Sequence, residues 1–271
     1  MLTILNSISS LNAENALSQT QASLQKTLTE LSTGLRVNSG SDDPAGLAIA
    51  NGLQANIAAL NQSSQNASDG VGALQTADGA LSQVTTLLNR AVTLATEASN
   101  GGLSTSQSTA LDTEYQSILT EIGTIGSTTN FNGAAVFGTT QTVYTSDGTA
   151  GGSNTLSTAI GALTTAALSL SKTDLTSTAN AQAALTAIDA AVSTVAANRG
   201  AIGAAVNQLN AASNVQSTEV TNLTSAENSI QNADIGQTVA QMTQYSVLQQ
   251  TGMAALSQSN QAQQAILKLL Q

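Results

Sequence analysis

The side chains of this chain that could do chemistry are few, and carboxylates dominate them. None of the 271 residues is histidine or cysteine, which excludes imidazole bases, thiol nucleophiles, histidine-based zinc sites and cysteine-bound clusters. Asp, Glu, Ser, Lys and Tyr remain for acid–base or nucleophilic catalysis. The densest group is the adjacent pair Asp42 and Asp43, and Asp147 and Asp174 stand farther along the chain.

Each of these carboxylates has a structural interpretation that competes with catalysis. Adjacent residues rarely converge on one substrate, whereas Asp43 before Pro44, the only proline, is typical of a helix start. Asp147 and Asp174 lie in segments predicted to be loops, without a partner that the sequence identifies. We therefore expect a protein that is not an enzyme and that holds neither a cofactor nor a metal ion.

The composition argues against two common classes of partner. Only 8% of the residues are charged, the formal net charge is −10, and the six basic residues are scattered. Binding to phosphates or to an anionic membrane requires clustered Lys and Arg, so we expect neither nucleic acid nor a membrane as a partner. No apolar run reaches the ~18 residues of a membrane span, and the first residues lack the pattern of a cleavable signal.

The elements that carry these side chains are predicted from two ladders of apolar residues spaced by sevens. Such spacing places one seam along a helix, which then packs against a partner seam. The ladders predict long helices over residues 44–99 and 179–230, folded back on each other as an antiparallel coiled-coil rod. The ladder positions are Leu53, Leu60, Ala67, Leu74, Leu81, Leu88 and Ala95 in the first helix, and Ile188, Val195, Ile202, Leu209, Gln216, Leu223 and Ile230 in the second.

Three shorter helices complete the helical part of the chain. Apolar periodicity predicts them over residues 4–35, after Ser104 and after Asp234. Ser104 with Gln107 resembles a capping box. Residues 100–102, Asn and two glycines, are expected to end the second helix, because these residue types tolerate the left-handed C-cap conformation.

The middle of the chain, residues 128–177, is rich in Gly, Ser and Thr. Short runs of β-branched or aromatic residues at 135–137 and 142–145, with a turn signal at Asp147–Gly148, predict small hairpins and loops there. The predicted fold class is therefore mainly α: a long antiparallel coiled-coil rod with paired terminal helices and a small β-hairpin region in the middle.

Several landmarks, in the same order along the chain, resemble those of bacterial flagellins. The resemblance covers roughly residues 1–133 and 185–271, and the number of landmarks makes it more specific than one short motif. The landmarks are Met1–Asn6, Leu31–Asn38, Asp42–Ala50, Asn66–Gly70, Phe131–Gly133, Asn198–Ala204, Glu227–Asp234 and Ala262–Leu270.

The resemblance implies a division of the chain into three parts. Residues 1–43 and 235–271 would form the inner terminal-helix domain, and residues 44–129 and 178–234 would form the central helical rod. Residues 130–177 would be a short hairpin and loop region in place of the large outer domains that most of the family carries. This chain is thus expected to be a short form of the family.

The resemblance also implies a function and a set of partners. Flagellins are structural subunits that leave the cell through the flagellar type III apparatus without a cleaved signal peptide. They polymerise into the extracellular filament that acts as the propeller for swimming. The implied partners are other copies of a flagellin, the flagellar cap and hook-junction proteins, and an export chaperone that holds the C-terminus.

The residues expected to carry polymerisation lie on the two terminal helices. The apolar seams there are interrupted by polar residues, so each helix binds weakly alone and gains packing from neighbouring subunits. We expect both helices to be largely disordered in the monomer and ordered in the filament. The candidates are Ile4, Leu5, Ile8, Leu11, Leu17, Leu24, Leu28, Leu31, Ile235, Val239, Met242, Met253, Leu256, Ile266, Leu267 and Leu270.

One stretch of the second helix resembles the surface that the innate Toll-like receptor for flagellin reads in other members. Arg90, Leu94 and Glu114 match its residue types. Two charges are missing, because Val92 and Thr93 stand where receptor-read members usually carry Arg and Glu. Alternatively, Arg90 is only a solvated flank of the coil. We expect weak or no receptor activation.

Three other protein classes share the helical pattern. An ordinary intramolecular coiled coil explains the ladders without assembly. A signalling hairpin like that of chemoreceptors also uses sevenfold seams, but it needs a membrane anchor or sensor module that we do not expect here. A hook–filament junction protein shares the terminal architecture, and electron microscopy of the purified chain would separate it, because only a flagellin forms long filaments.

Overall fold

The computed structural model describes residues 8–146 and 155–269, with side chains at each described position except 9, 263 and 266–269. Within these ranges the chain is mainly α, as predicted, with five helices and two small pairs of antiparallel strands. The helices are α1 (Ile8–Thr33), α2 (Pro44–Ala98), α3 (Thr105–Thr128), α4 (Thr178–Gln231) and α5 (Ile235–Leu269).

Helices α2 and α3 begin at the caps that the sequence predicted. Asp43 Oδ1 accepts a hydrogen bond from the Gly46 backbone N–H at 2.9 Å, and Pro44 is the first helical residue. This bond satisfies one of the N–H groups that the first turn of a helix leaves without a partner. Ser104 and Gln107 form the predicted capping box of α3, in which Ser104 N–H donates to Gln107 Oε1 at 2.9 Å.

Helices α1 and α2 end in different ways. Gly34 follows α1 with a φ of 75°, which glycine adopts without steric strain, and its N–H donates to Glu30 O at 2.8 Å. The second helix ends just before residues 100–102, as predicted, but none of the three has a positive φ, so the left-handed conformation that they tolerate is not adopted. Instead α2 ends in a tightened turn, where Asn100 N–H donates to Glu97 O at 3.1 Å.

Two hairpins occupy the middle of the chain. The predicted run 142–145 falls largely in a strand. Of the run 135–137 only Ala135 lies in a strand, and Val136 and Phe137 follow it as part of the hydrophobic core. The turn predicted at Asp147–Gly148 lies outside the described residues. The strands are β1 (Asn130–Phe131) paired with β2 (Ala134–Ala135), and β3 (Thr139–Tyr144) paired with β4 (Thr155–Ile160).

The chain divides into two compact units. The terminal unit consists of residues 1–55 and 222–271, and the central unit consists of residues 56–221. The cluster of buried hydrophobic side chains lies within the central unit, between Ala67 and Leu209. Helices α2 and α4 each contribute residues to both units.

Within the central unit, the α2 and α4 segments pack antiparallel, because positions that rise along α2 meet positions that fall along α4. Ser64 Oγ lies 2.9 Å from Ser213 Oγ. Farther along, the Arg199 guanidinium donates two hydrogen bonds to the Asp78 carboxylate, from Nε to Oδ1 at 2.8 Å and from Nη2 to Oδ2 at 3.3 Å. The two ladders therefore face each other, as the sequence predicted.

The segment between β4 and α4 packs over α3. A Cβ at Gly126 of α3 would overlap the Leu163 carbonyl oxygen, so the close approach of the two backbones requires glycine here. Asp112 Oδ1 of α3 also accepts the Leu175 backbone N–H at 2.8 Å. These contacts fix the loop onto the helix and close one side of the central core.

Within the terminal unit, α1 and α5 pack antiparallel over much of their length. Ser10 Oγ lies 2.8 Å from Ser259 Oγ near one end of the pair. Nearer the middle, Leu17 lies so close to Gly252 that an added Cβ would be 3.3 Å from Leu17 Cδ1. Small and polar residues thus make part of this interface, which leaves apolar side chains on the flanks of both helices.

The connectors that follow α1 and α4 also pair with each other. Leu35 and Asn232 form an isolated antiparallel bridge. Beside it, the Arg36 backbone N–H donates to Gln231 O at 2.6 Å. This pairing fixes where α1 ends and where α5 begins within the terminal unit.

Candidate functional site

The carboxylates nearest the start of α2 serve structural roles. Asp43 caps the helix, and Asp42 Oδ1 lies 3.0 Å from Lys26 Nζ of α1. Asp42 Oδ2 accepts the Ser39 backbone N–H at 3.0 Å. The hydrogen bond from Lys26, followed by those from Ser39, lowers the pKa of Asp42 from 3.8 to about 2. Asp42 is therefore an ionised clasp between α1 and the connector.

The carboxylate of Asp174 orders the turn before α4. Its Oδ1 accepts the Thr176 backbone N–H at 3.0 Å and the Asn180 Nδ2 at 2.8 Å. The hydrogen bond from the Thr176 hydroxyl, followed by that from Asn180, lowers the pKa of Asp174. Asp147 lies outside the described residues. Asp174 thus acts in an ordinary side-chain turn.

Within residues 8–146 and 155–269, no cluster of three or more Asp, Glu, His or Cys side chains is placed to hold a metal ion. No helix in this part of the chain combines the length and the hydropathy needed to traverse a bilayer.

The ladder residues of the central unit are fully buried. None of its eight Leu, Ile and Val members exposes more than 3% of its surface, and Ala67, Ala95 and Gln216 are buried as well. Leu53 and Leu223 belong to the terminal unit and are only half-buried. The central ladder therefore completes its packing within the chain. The eight Leu, Ile and Val members are Leu60, Leu74, Leu81, Leu88, Ile188, Val195, Ile202 and Leu209.

The polymerisation candidates on α1 and α5 show the opposite pattern. Six are exposed by 40% or more, and the other described ones are half-buried, so none of those described is in a closed core. The exposed six are Ile8 at 72%, Leu11 at 49%, Leu28 at 47%, Ile235 at 48%, Val239 at 40% and Met253 at 49%. The half-buried ones are Leu17, Leu24, Leu31, Met242 and Leu256.

Five of the candidates fall where the structure gives no side-chain information. Ile4, Leu5 and Leu270 lie outside the described residues, and for Ile266 and Leu267 only the backbone, within α5, is described. Their role stays a prediction.

Three exposed apolar residues of the terminal unit escaped the sequence analysis. Ile49 is 56% exposed, Val247 is 56% exposed and Leu248 is 45% exposed. Each lies beside the seam of its helix, so a search restricted to sevenfold spacing passes over it. Counting all apolar residues against the width that one partner helix can cover would have found them.

The terminal unit has little closed core of its own. Among its described residues, Val37 and Ala50 are the apolar side chains that are fully buried, and the polar Thr27 and Thr238 are buried as well. A pair of helices covers one stripe on each partner and leaves the flanks to solvent or to further partners. The surface formed by the exposed apolar residues of α1 and α5, termed here the terminal apolar face, is the candidate functional site.

The three residues that the sequence suggested for the innate-receptor surface differ in their exposure to solvent. Arg90 Nη2 of α2 lies 2.7 Å from Glu114 Oε1 of α3, and both side chains are about half exposed, at 56% and 47%. Leu94 is 1% exposed and belongs to the hydrophobic core. Arg90 is thus a solvated flank of the coil that is also ion-paired, and Leu94 offers almost no surface to a partner.

Two regions of the chain match known family models. Residues 4–142 match the bacterial flagellin N-terminal helical region, and residues 185–270 match the bacterial flagellin C-terminal helical region. Together they include the terminal apolar face and both ladders. The resemblance predicted over residues 1–133 and 185–271 is confirmed.

Individual proteins and structures give the same result. The flagellin of Halalkalibacterium halodurans is 36% identical over 251 residues, which cover 91% of this chain and 91% of that protein. The flagellin of Bacillus subtilis is 30% identical over 301 residues, which cover 98% of each. The crystal structure of Bacillus cereus flagellin is 29% identical with a TM-score of 0.50, and it covers 56% of this chain and 88% of that chain.

Proposed function

The chain belongs to the bacterial flagellin family, and from this premise we propose that its copies are joined in the flagellar filament through the terminal apolar face. The protein is a structural subunit of that filament, outside the cell, in a family whose role is motility. The proposal concerns how the subunit is held: the central unit packs within one chain, and the terminal unit completes its packing with neighbouring copies.

The observation that supports this proposal is the contrast in burial between the two units. The Leu, Ile and Val ladder residues of the central unit are 3% exposed or less, whereas six apolar residues of α1 and α5 are 40% exposed or more. Residue type does not explain the difference, because both sets are large aliphatic side chains: Leu, Ile and Val in the ladder, and Leu, Ile, Val and Met on α1 and α5. The flanks of α1 and α5 have apolar surface that one chain leaves uncovered.

The exposed surface is large enough to matter for association. Burying a Leu, Ile, Val or Met side chain completely contributes about 1.5–3 kcal/mol, so covering six that are about half exposed contributes on the order of 5 kcal/mol per copy. Each copy in a helical array meets several neighbours, and the contribution recurs along the filament. A helix whose packing depends on neighbours is also weak when alone, which supports the expectation that α1 and α5 are largely disordered in the monomer.

The further partners in the proposal are those of filament growth. The subunit passes through the flagellar type III apparatus in an unfolded state, without a cleaved signal. An export chaperone holds its C-terminal segment, and the cap and hook-junction proteins contact it at the filament ends. The absence of cysteine and the small closed core of the terminal unit support this route, because no crosslink opposes unfolding before export.

The proposed domains are residues 1–43 with 235–271, residues 44–129 with 178–234, and residues 130–177. The first is the inner domain, the second is the rod, and the third stands in place of the outer domains. The boundaries between the two compact units lie within α2 and α4. The proposed inner domain is therefore the part of the terminal unit that α1, α5 and the first connector supply.

Two exposed valines, one on the terminal apolar face and one in the central unit, provide a test of this face. Val239 of α5 is 40% exposed, and Val215 of α4, in the central unit, is 65% exposed. Val239→Ser with Met253→Gln should abolish or strongly reduce filament formation, measured by sedimentation and electron microscopy. Val215→Ser is the matched control, and it should leave assembly close to that of the unaltered protein.

The same experiment can refute the proposal. Circular dichroism of both monomers should show the central helices intact, so that an assembly defect is not a folding defect. Normal filaments from the Val239→Ser, Met253→Gln protein would contradict the role of this face. Equal loss of assembly in the Val215→Ser protein would show that exposed apolar residues contribute irrespective of place, which also contradicts it.

The competing classes receive less support. The flagellins form a family of structural proteins, which argues against catalysis. Similarity to flagellins over nearly the whole chain favours the filament subunit above a hook–filament junction protein, a chemoreceptor-like hairpin or an isolated coiled coil.

A further inference from the structure

Three asparagines of this chain are followed directly by glycine. They are Asn51, Asn100 and Asn132. In such a pair the backbone nitrogen of glycine can attack the side-chain carbonyl carbon of asparagine, because glycine has no side chain to obstruct the approach. The attack also requires that the glycine N–H is free of a hydrogen bond and that the local backbone can adjust. The sequence alone does not rank the three positions.

Asn51 and Asn132 are held in regular structure. Asn51 and Gly52 lie in α2, where the helical pattern commits the Gly52 N–H to the carbonyl of residue 48. Asn132 has a φ of 49° and Gly133 a φ of 79° in the two-residue turn between β1 and β2. Such a pair of left-handed residues fits a tight hairpin turn, and strand pairing on both sides restrains it.

Asn100 lies outside regular structure, in the connection between α2 and α3. It is exposed, and no backbone hydrogen bond of the Gly101 N–H is found among the described residues. Asn100 Oδ1 lies 3.8 Å from the position that a Cβ of Gly102 would occupy. The carboxamide oxygen therefore lies near Gly102, the second of the two glycines.

We propose that Asn100 is a site of spontaneous deamidation through a succinimide. The Gly101 nitrogen loses its proton to a base and forms a bond to Asn100 Cγ. The Cγ–Nδ2 bond then breaks, and the departing nitrogen takes up a proton and leaves as ammonia. Water then opens the five-membered ring at one of its two carbonyls. The product is aspartate, or isoaspartate in which the main chain runs through the side chain. No oxidant or cofactor is required.

The modification changes the end of α2 in two ways. It places a carboxylate directly after the last turn, at the negative end of the helix, where an anion is unfavourable. The isoaspartate form also lengthens the main chain by one carbon between α2 and α3. Both changes weaken the last turn of α2, which ends at Ala98.

The test is ageing of the full-length protein in mildly alkaline buffer, followed by digestion and mass spectrometry. Cleavage after Glu97 and Glu114 isolates residues 98–114, in which Asn100 is the one asparagine. Asn100 should convert at least about tenfold faster than Asn51. Asn51 can react only after α2 opens locally, and an opening free energy of about 1.4 kcal/mol already slows the reaction tenfold. Asn100 should also convert faster than Asn132. Its conversion should give two peptides of equal mass, one with aspartate and one with isoaspartate.

Gly101→Ala provides the variant that separates chemistry from folding. An added Cβ at Gly101 meets no atom within 4 Å and the φ there is not positive, so the fold accommodates alanine. Alanine obstructs ring closure, so conversion at Asn100 should slow severalfold while conversion at Asn132 is unchanged. The proposal is overturned if Asn51 or Asn132 reacts as fast as Asn100, if Asn100 does not react, or if Gly101→Ala leaves its rate unaltered.

Discussion

Gln216 of α4 donates a hydrogen bond from Nε2 to Ser63 Oγ of α2 at 2.8 Å, across the seam of the central unit. Both side chains are buried, and Gln216 occupies a ladder position that other heptads fill with Ile, Val or Leu. Gln216 Nε2 also donates to Thr145 O at 3.0 Å, and Ser63 Oγ donates to Tyr144 O at 3.3 Å. One polar pair thus ties two helices to the end of β3.

The first prediction concerns the strength and purpose of this pair. Ser63→Ala removes an acceptor of a buried donor, and it should lower the free energy of unfolding of the central unit by about 1–3 kcal/mol. Gln216→Leu removes Oε1, a buried acceptor for which the described residues offer no donor. Gln216→Leu should lower the free energy of unfolding by less than Ser63→Ala does. It should nevertheless reduce the amide protection of Val143 and Tyr144 in hydrogen exchange.

An exposed glutamine serves as the control for this prediction. Among the described residues, the side chain of Gln62 of α2 bonds to Asn66 of its own helix at 3.1 Å and to no other element. Gln62→Leu should leave the protection of β3 and β4 unchanged. The interpretation fails if Gln216→Leu and Gln62→Leu alter hairpin protection equally.

The ladders show which parts of the fold could be predicted from sequence. The helix predicted over 44–99 is observed as Pro44–Ala98, and the one predicted over 179–230 is observed as Thr178–Gln231. Long periodic segments are predictable because every heptad repeats the same packing requirement. Gln216 was visible as the polar member of its ladder, but its bonds to Ser63 and to β3 depend on the fold of the whole central unit.

Two other features were beyond local sequence patterns. The left-handed cap that residues 100–102 tolerate is not formed, because glycine permits that conformation without requiring it. The exposure of Val247 and Leu248 depends on which face α1 covers, and periodicity along one helix does not specify the width of its partner. The sequence therefore indicated the helices that carry the candidate site, while the outline of the site required the packed structure.

The second prediction is a pH dependence at the Asp42 clasp. The pKa of Asp42 is lowered from 3.8 to about 2, chiefly by Lys26. A lowered pKa means that the clasp stabilises the ordered state above pH 3.8 and that this stability is lost as the pH falls through about 2. Filaments of Asp42→Asn should be less stable than those of the unaltered protein at neutral pH, and their stability should fall less on acidification. The sedimentable fraction of the protein measures both effects.

A charge change elsewhere on α1 controls for net charge. Glu14 is exposed, and the described residues supply it with no ion-pair partner. Glu14→Gln filaments should follow the pH profile of the unaltered protein. An identical acid profile for Asp42→Asn and the unaltered protein would contradict the clasp.

The third prediction is that the purified monomer activates the innate receptor weakly or not at all. Leu94 is 1% exposed, and the half-exposed Arg90 and Glu114 are paired with each other at 2.7 Å, so a receptor would have to compete with this ion pair. Two charges of the receptor-read surface are also replaced by apolar or neutral side chains. A reporter-cell assay measures the response, and strong activation by the unaltered monomer would refute the prediction.

Restoring the missing charges sharpens the receptor test. Val92 is half-buried and Thr93 is exposed on α2. Val92→Arg with Thr93→Glu should raise activation, provided circular dichroism shows an intact fold. Thr96→Glu, at another exposed position of the same helix, adds a charge outside the matched stretch and should leave the response unchanged.

The fourth prediction concerns order in the two terminal helices. Their apolar flanks are uncovered in one chain, so α1 and α5 should exchange their amide protons rapidly in the free monomer and slowly in the filament. Amides of the central ladder, around Leu81 and Ile188, should be protected in both states. Strong protection of α1 and α5 in the free monomer would show that these helices need no neighbour.

The fifth prediction compares two leucines that differ in burial. Leu81 is fully buried in the central ladder, whereas Leu28 of α1 is 47% exposed. Leu81→Ala should lower the free energy of unfolding of the monomer by about 2–5 kcal/mol, because it removes packed methyl groups and leaves a cavity. Leu28→Ala should change it by no more than about 0.5 kcal/mol, yet shift assembly towards the monomer. Chemical denaturation and sedimentation measure the two effects, and a Leu28→Ala protein that assembles normally would remove Leu28 from the terminal apolar face.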